Sequence, residues 1–184
     1  GWVYTYSQCP LVNKEKIYIV NNIIFRLFIL CCLPLISFAQ DSTSTRSNVG
    51  CISGNCENGI GIYRTSNGNT YEGNFSNGKF NGQGKMNYKD GAVYIGGFSQ
   101  GKMNGQGTYT YRDGTVYQGD FTNGKMEGMG TMTYVSGNRY EGLFSNNMKS
   151  GKGNYIFNDS SRYEGNFLQD KMDGQGKLVY PNGD

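Results

Sequence analysis

The sequence predicts an all-β protein: an elongated, single-layer, twisted antiparallel sheet of tandem 23-residue β-hairpin repeats, placed after an N-terminal signal segment. Three observations carry this prediction. A unit beginning at Tyr71 recurs at Tyr94, Tyr117, Tyr140 and Tyr163 with no insertion, and a fixed period of this size marks a repeat architecture. Within each unit, apolar or glycine residues alternate with polar ones, the period of strands. The chain of 184 residues also holds 29 glycines and only 3 prolines, a composition of turns and strands rather than helices.

Residues 1–39 read as a leader plus a signal peptide. The first ten residues resemble translated sequence upstream of a true start at Leu11 or Val12. Lys14, Lys16 and Arg26 precede an apolar run, Leu27 to Phe38 (LFILCCLPLISF), and SFAQ supplies a small-residue cleavage site after Ala39. The run has 12 residues, against about 20 for a membrane span. Leu30 precedes Cys31, and Cys31 precedes Cys32, so neither follows the small residue that lipid attachment requires. The expectation is export to the periplasm, the cell surface or the medium through a cleavable signal.

Residues 40–50 (QDSTSTRSNVG) form a polar, flexible linker. Residues 51–70 are a degenerate capping half-repeat, because Gly59, Gly61 and Gly68 fall 23 residues before Gly82, Gly84 and Gly91. Terminal repeats are atypical where they close a stack. Five repeats follow, at 71–93, 94–116, 117–139, 140–162 and 163–184. The last stops two residues short of the next tyrosine, so further chain is expected beyond it.

In the first repeat, Tyr71, Gly73 and Phe75 face one way, and Glu72 and Asn74 the other. Gly82, Gly84, Met86 and Tyr88 share a face opposite Gln83, Lys85 and Asn87. Asn77-Gly78 between the two runs signals a two-residue hairpin turn. That turn sets Phe75 opposite Phe80, Gly73 opposite Gly82 and Tyr71 opposite Gly84. A ring then lies over a residue with no side chain, which offsets the roughly 0.5–1 kcal/mol that a strand glycine costs. The same positions recur as Tyr94, Gly96, Phe98, Gly105 and Gly107; Tyr117, Gly119, Phe121, Gly128 and Gly130; Tyr140, Gly142, Phe144, Gly151 and Gly153; and Tyr163, Gly165, Phe167, Gly174 and Gly176. An odd period requires one odd loop if every tyrosine is to stay on one face. Lys89-Asp90-Gly91 fits a three-residue loop that pairs Met86 with Tyr94. In repeat four, Ser160-Ser161 replaces Asp-Gly and Asn146-Asn147 replaces Asn-Gly, so its turns are expected to be the loosest. A single-layer sheet with three aromatic columns in five repeats is expected to exceed the apolar patch a soluble monomer exposes; curvature and mutual stacking of the rings hide part of it, and the rest points to a partner.

The pattern Tyr-x-Gly-x-Phe, a Gly-Lys turn, and Gly-x-Gly leading to tyrosine resembles the MORN (membrane occupation and recognition nexus) repeat, of the bacterial exported type. Phenylalanine stands where that family often has tryptophan. The resemblance implies a scaffold sheet, often dimerising and in some members linked to phospholipids, with no catalysis by the repeats and no cofactor.

Other chemistry is thin. There is no histidine, which removes histidine triads and most zinc sites. Cys51 and Cys56 have no further ligands nearby and fit a local disulfide in an exported chain. The Gly-x-Gly pairs lie within strands and open no helix, so they are not phosphate loops. Glu72, Glu141 and Glu164 fall in one column as a solvated polar face. Lys79, Lys102, Lys125 and Lys171 line one set of turns, as edge protection or as contacts to lipid phosphates. The formal charge is +3, of which Lys14, Lys16 and Arg26, opposed by Glu15, supply two. The near-neutral remainder excludes an electrostatic footprint for nucleic acid. The leading expectation is therefore a non-catalytic scaffold for protein–protein or self-association in the cell envelope or outside the cell. The alternatives are a phospholipid-targeting or regulatory module of an enzyme continuing beyond residue 184, and glycan binding by the aromatic face.

Overall fold

A computed structural model describes residues 49–183, together with the backbone of a short antiparallel ladder of β1 (Ile17–Val20) and β2 (Ile23–Arg26). The apolar run expected at 27–38, the cleavage site after Ala39 and most of the linker lie outside the described residues.

Residues from Gly50 onward form one antiparallel sheet of 12 strands in simple chain order. The half-repeat supplies β3 (Gly50–Gly54) and β4 (Gly59–Arg64). The repeats supply β5 (Thr70–Ser76) and β6 (Lys79–Asn87), β7 (Val93–Ser99) and β8 (Lys102–Thr110), β9 (Val116–Thr122) and β10 (Lys125–Thr133), β11 (Arg139–Ser145) and β12 (Met148–Ile156), and β13 (Arg162–Leu168) and β14 (Lys171–Val179). No helix occurs among the described residues. Every pairing is between sequence neighbours, as a chain of short hairpins dictates.

Two turn chemistries alternate. At Asn77-Gly78 both residues are left-handed (φ 50° and 69°), the primed turn whose twist matches the strands it joins. Asparagine tolerates this conformation through its short polar side chain, and glycine has no Cβ to clash. At the other end Tyr88 N–H donates to the Ala92 carbonyl (2.9 Å) and Gly91 N–H to the Tyr88 carbonyl (3.0 Å), closing the three-residue loop, with Gly91 at φ 97°. Asp90 Oδ1 accepts from Ala92 N–H at 3.0 Å. Met86 pairs with Tyr94 across that loop.

The hairpin register differs from the sequence expectation. Phe75 does pair with Phe80, but Gly73 pairs with Gly84 and Tyr71 with Met86. A bulge sets Asn74 against Asn81, Gly82 and Gln83, and Gly82 is left-handed (φ 81°). The two extra residues preserve side-chain parity, so the faces stay as expected while each pair beyond the bulge slides by two. Gly105, Gly128, Gly151 and Gly174 take the same left-handed conformation (φ 62–80°), so the bulge is a feature of every repeat.

Two further expectations fail. Repeat four does not have loose turns. Asn146 and Asn147 are left-handed (φ 51° and 70°) and bonded to the previous repeat: Asn146 N–H donates to Glu127 Oε1 (2.8 Å), and Met126 N–H donates to Asn147 Oδ1 (2.9 Å). Ser160, rather than Ser161, occupies the place of Gly91 (φ 69°), and Asp159 caps the loop through Ser161 N–H at 2.8 Å. Nor does the aromatic face stand open. Tyr71, Tyr94, Tyr117 and Tyr140 are 0% exposed, and Phe75, Phe98, Phe121, Phe144 and Phe167 are buried. Each tyrosine ring meets the phenylalanine of its own strand and that of the next repeat edge-on. For Tyr117 the centroid distances are 5.2 Å to Phe121 and 4.8 Å to Phe144. Edge-to-face contacts of this kind stabilise beyond simple area burial. A single layer thus buries its own aromatic core.

Substitution at Gly130 tests this packing. A Cβ there would lie 2.5 Å from Tyr117 Cε2 and 2.6 Å from its hydroxyl oxygen, and the ring has no free space to retreat into. Gly130→Val is expected to cost at least about 1–3 kcal/mol, the usual overpacking penalty, although valine favours strands. Thr131→Val, on the opposite face, should be neutral or stabilising. Thermal melts of the two variants decide: Gly130→Val melting at or above the parent would overturn this account of the face.

Candidate functional site

The buried face divides into two strips. The first is structural. Each Tyr-x-Gly-x-Phe tyrosine leans along its strand so that its ring covers the glycine pair beside it. A Cβ on Gly73, Gly84, Gly96, Gly107, Gly119, Gly142, Gly153, Gly165 or Gly176 would sit within 2.6 Å of the local tyrosine, as at Gly130. The hydroxyl then donates to the carbonyl at the bulge: Tyr71 to Asn74 (2.8 Å), Tyr94 to Gly97 (2.9 Å), Tyr117 to Asp120 (3.0 Å), Tyr140 to Leu143 (2.9 Å) and Tyr163 to Asn166 (3.3 Å). Burial pushes the phenols of Tyr71, Tyr94 and Tyr140 up to about 12, and that of Tyr117 upward as well.

The second strip runs beside the three-residue turns and stays half-exposed. It comprises Tyr63, Tyr88, Tyr109, Tyr111, Tyr134, Tyr155 and Phe157, packed against the core without being sealed by it. Neighbouring rings stand 5.6 Å apart at Tyr88–Tyr109, 4.7 Å at Tyr109–Tyr111 and 4.9 Å at Tyr155–Phe157. Some hydroxyls turn inward: Tyr88 and Tyr111 reach the Sδ atoms of Met103 and Met126, each in the following repeat (3.7 and 3.9 Å). Burial, then Tyr109 and Asp90, pushes Tyr88 up to about 12. Successive turns and these rings enclose two shallow notches, one repeat apart. One of about 400 Å³ is lined by Asp90, Ala92, Tyr109, Tyr111, Arg112 and Asp113. The other, of about 510 Å³, is lined by Asn67, Asn69, Tyr88, Lys89 and Asp90. Their linings combine tyrosine rings with both charge signs, and the second adds amide groups.

Lys149 is a site residue that the sequence reading passed over. It stands where other repeats have Phe80, Met103, Met126 and Met172. Its side chain is only 13% exposed, and Nζ donates to the Tyr134 hydroxyl at 3.0 Å. The ammonium also lies 5.4–5.8 Å from the ring centroids of Tyr134, Tyr140 and Tyr155, and 3.9 Å from Asp170 Oδ1. Cation–π attraction and the carboxylate offset its desolvation. Misalignment within an otherwise strict column was the available signal.

The polar positions singled out in the sequence are dispersed over the sheet. Glu72 faces Lys85 across the strands, Glu141 pairs with Arg139, and Glu164 pairs with Arg162 at 2.6 Å. Lys79 and Lys125 donate to the next repeat's turn, at Gln100 Oε1 (2.8 Å) and Asn146 Oδ1 (2.7 Å). Lys102 and Lys171 are exposed. Cys51 and Cys56 are disulfide-bonded, with Cα atoms 5.9 Å apart. Among the described residues, no group of three or more His, Cys, Asp or Glu residues could hold a metal ion.

A family model described as MORN repeat matches this sequence five times in tandem, over residues 71–93, 94–116, 117–139, 140–162 and 163–184. No curated protein sequence matches the chain. Among solved structures, the sheet is similar to the TCP domain of Drosophila melanogaster SAS-4 (dCPAP), solved in complex with a proline-rich motif of Ana2, at 14% identity and a TM-score of 0.47, covering 72% of each chain. It is also similar to the TCP10 domain of Danio rerio CPAP. With a STIL peptide that match has 16% identity and a TM-score of 0.44, covering 67% of this chain and 54% of that one. Without the peptide it has 17% identity and a TM-score of 0.43, covering 68% and 58%.

The raised phenols set a pH limit on the fold. A tyrosine in the unfolded chain ionises near its ordinary value of 10, whereas the buried ones hold their protons to about 12. The unfolded state therefore releases protons first, and stability present below pH 10 declines as pH rises toward 12. Thermal midpoints are expected to fall across that window while remaining flat from pH 8 to 9. A midpoint that stays level through pH 11 would show that these hydroxyls are not held in their protonated, donating form.

Proposed function

The chain belongs to the MORN repeat family, and from that premise we propose that it is a protein-binding scaffold, with binding rather than catalysis as its role. The observation that carries this reading is the half-exposed tyrosine strip with its two notches beside the turns. The inner tyrosine and phenylalanine columns are consumed by the fold, so the strip is the aromatic surface left for a partner. Tyrosine offers contact area at small entropic cost and a hydroxyl that can meet a backbone carbonyl. The hydroxyl of Tyr109 donates to none of the described residues, and its ring forms one wall of a notch.

The spacing defines the partner's shape. Equivalent notches lie two strands apart, about 9.6 Å at 4.8 Å per strand. A polyproline II segment advances about 9.3 Å per three residues and exposes every carbonyl. An extended proline-rich segment laid across the turns would thus place one residue in each notch, the mode by which aromatic grooves take proline-rich ligands. The lysine row gives lipid binding less support, because Lys79 and Lys125 are engaged by Gln100 and Asn146. Export is part of the proposal: the signal-like segment and the Cys51–Cys56 bond both fit an oxidising compartment.

Fluorescence anisotropy with a labelled oligoproline peptide tests the binding mode. Binding is expected for the parent and at least about ten-fold weaker for Tyr109→Ala, as for a central aromatic contact, compared at a temperature where circular dichroism shows both proteins folded, since Tyr109 also packs against Tyr88 and Tyr111. Equal affinity for both proteins, or none for either, would remove the strip as the binding surface. Export is checked separately by the intact mass of the secreted protein, expected to begin at Gln40; a leader retained in a membrane fraction would refute it.

A further inference from the structure

We infer that the Cys51–Cys56 disulfide is a redox latch that holds the first strand of the sheet in place of the missing tyrosine. The register makes the substitution explicit. Cys51 pairs with Tyr63 as Tyr71 pairs with Met86, and Gly54 pairs with Gly61 as Gly73 pairs with Gly84. Cys51 therefore stands opposite the residue that the covering tyrosine would face, with Ile52 as one extra residue between it and the glycine pair. At Gly84 a Cβ would strike the ring of Tyr71, whereas at Gly61 it would meet Cys56 Sγ at 2.8 Å. In this hairpin a sulfur covers the glycine.

The consequences follow from what else holds β3. Its five residues are exposed apart from Gly50, and it contributes no buried ring. The next strand is anchored independently, because Tyr63 meets Phe75 and Phe80 at 6.5 and 6.0 Å and Gly61 is buried. The disulfide thus secures β3 alone. Cys51 is exposed, while Cys56 is half-buried with its Sγ 3.4 Å from the Ile62 carbonyl. A dithiol reductant reaches the Cys51 sulfur. Its thiolate attacks Cys51 Sγ, the S–S bond breaks and Cys56 leaves as the thiolate. The reductant's second thiol then displaces Cys51 from the mixed disulfide. Two electrons and two protons pass to the cysteines, and the reductant becomes a cyclic disulfide. With Cys51 and Cys56 as thiols, β3 is left with its backbone ladder to β4 and no covalent tie, and its fraying uncovers the edge of β4. Oxidation recloses it. The sheet edge, an open template for strand addition, is in this way controlled by the redox state of the surroundings.

Hydrogen exchange on the full chain, with and without dithiothreitol, tests the latch. Reduction is expected to speed exchange at least ten-fold in peptides covering 50–64, while peptides from β7 to β12 stay protected. The double variant Cys51→Ser, Cys56→Ser should match the reduced parent and ignore the reductant in that region. This control separates the effect from reduction of the chain's other cysteines. Protection of 50–64 that survives once both thiols are shown to be alkylatable would overturn the latch. So would a loss spread evenly along the sheet, since the bond would then serve global stability. Neither outcome bears on the tyrosine strip, so the latch and the scaffold reading are tested apart.

Discussion

The tyrosine ring laid flat over a pair of glycines is the contact on which the rest of this structure depends. The Cα atoms of Gly73 and Gly84 face each other with no side chain between them, and Tyr71 fills that space. The same ring is pressed edge-on by Phe75 and by Phe98 of the next repeat, at 5.2 and 4.9 Å. Its hydroxyl completes the bulge. One side chain therefore fixes the hairpin, the irregularity within it and the junction to the next hairpin. This is why a single layer can have a core at all. The second layer that a sheet ordinarily needs is replaced by rings lying down on their own strands.

Such a core is local in sequence, and its ends show it. Met126 and Met132 are 7% and 9% exposed between neighbours, while the equivalent Met172 and Leu178 on β14 are 45% and 43% exposed. Burial at a given position is thus conferred by the adjacent repeat, as nearest-neighbour stability requires. The half-repeat solves the same problem at β3 by covalent means, since no ring is present there to do it.

Much of this was legible in the sequence. The 23-residue period, the assignment of faces, the primed turn at Asn77-Gly78 and the three-residue loop at Lys89-Asp90-Gly91 all follow from local rules that tertiary context does not override here. The bulge was not legible, for a definite reason: it inserts two residues, so Gly82, Gly84 and Met86 keep their alternation, and a period-two pattern cannot register a shift of two. The glycine at Gly82, repeated at Gly105, Gly128, Gly151 and Gly174, was its one trace. Mutual stacking over part of the aromatic face was legible, but its extent was not, because ring-on-ring contact between repeats depends on how far each tyrosine leans toward its glycine. That lean is a side-chain angle which composition does not encode. The half-exposed strip was hidden for the same reason, since Tyr88 and Tyr71 look alike in the sequence and differ only in what covers them.

The division of the aromatics into a consumed set and an available set also explains the placement of Lys149. A cation in the inner column needs negative or polarisable partners, and the outer strip supplies them through the Tyr134 hydroxyl and the Tyr155 ring, with Asp170 beyond. The lysine therefore draws one stretch of the strip inward, so that Tyr134 faces the ammonium rather than solvent. Tyr109, two hairpins earlier, has no such demand on its hydroxyl. The strip is accordingly not uniform along the array. Its first half, at the turns of repeats one and two, carries the two notches and the Tyr109 hydroxyl, whereas its second half ties repeats three, four and five together through Lys149. A partner that reads this sheet would engage it toward the disulfide-capped end, where tyrosine rings, the Tyr109 hydroxyl and turn carboxylates line these notches.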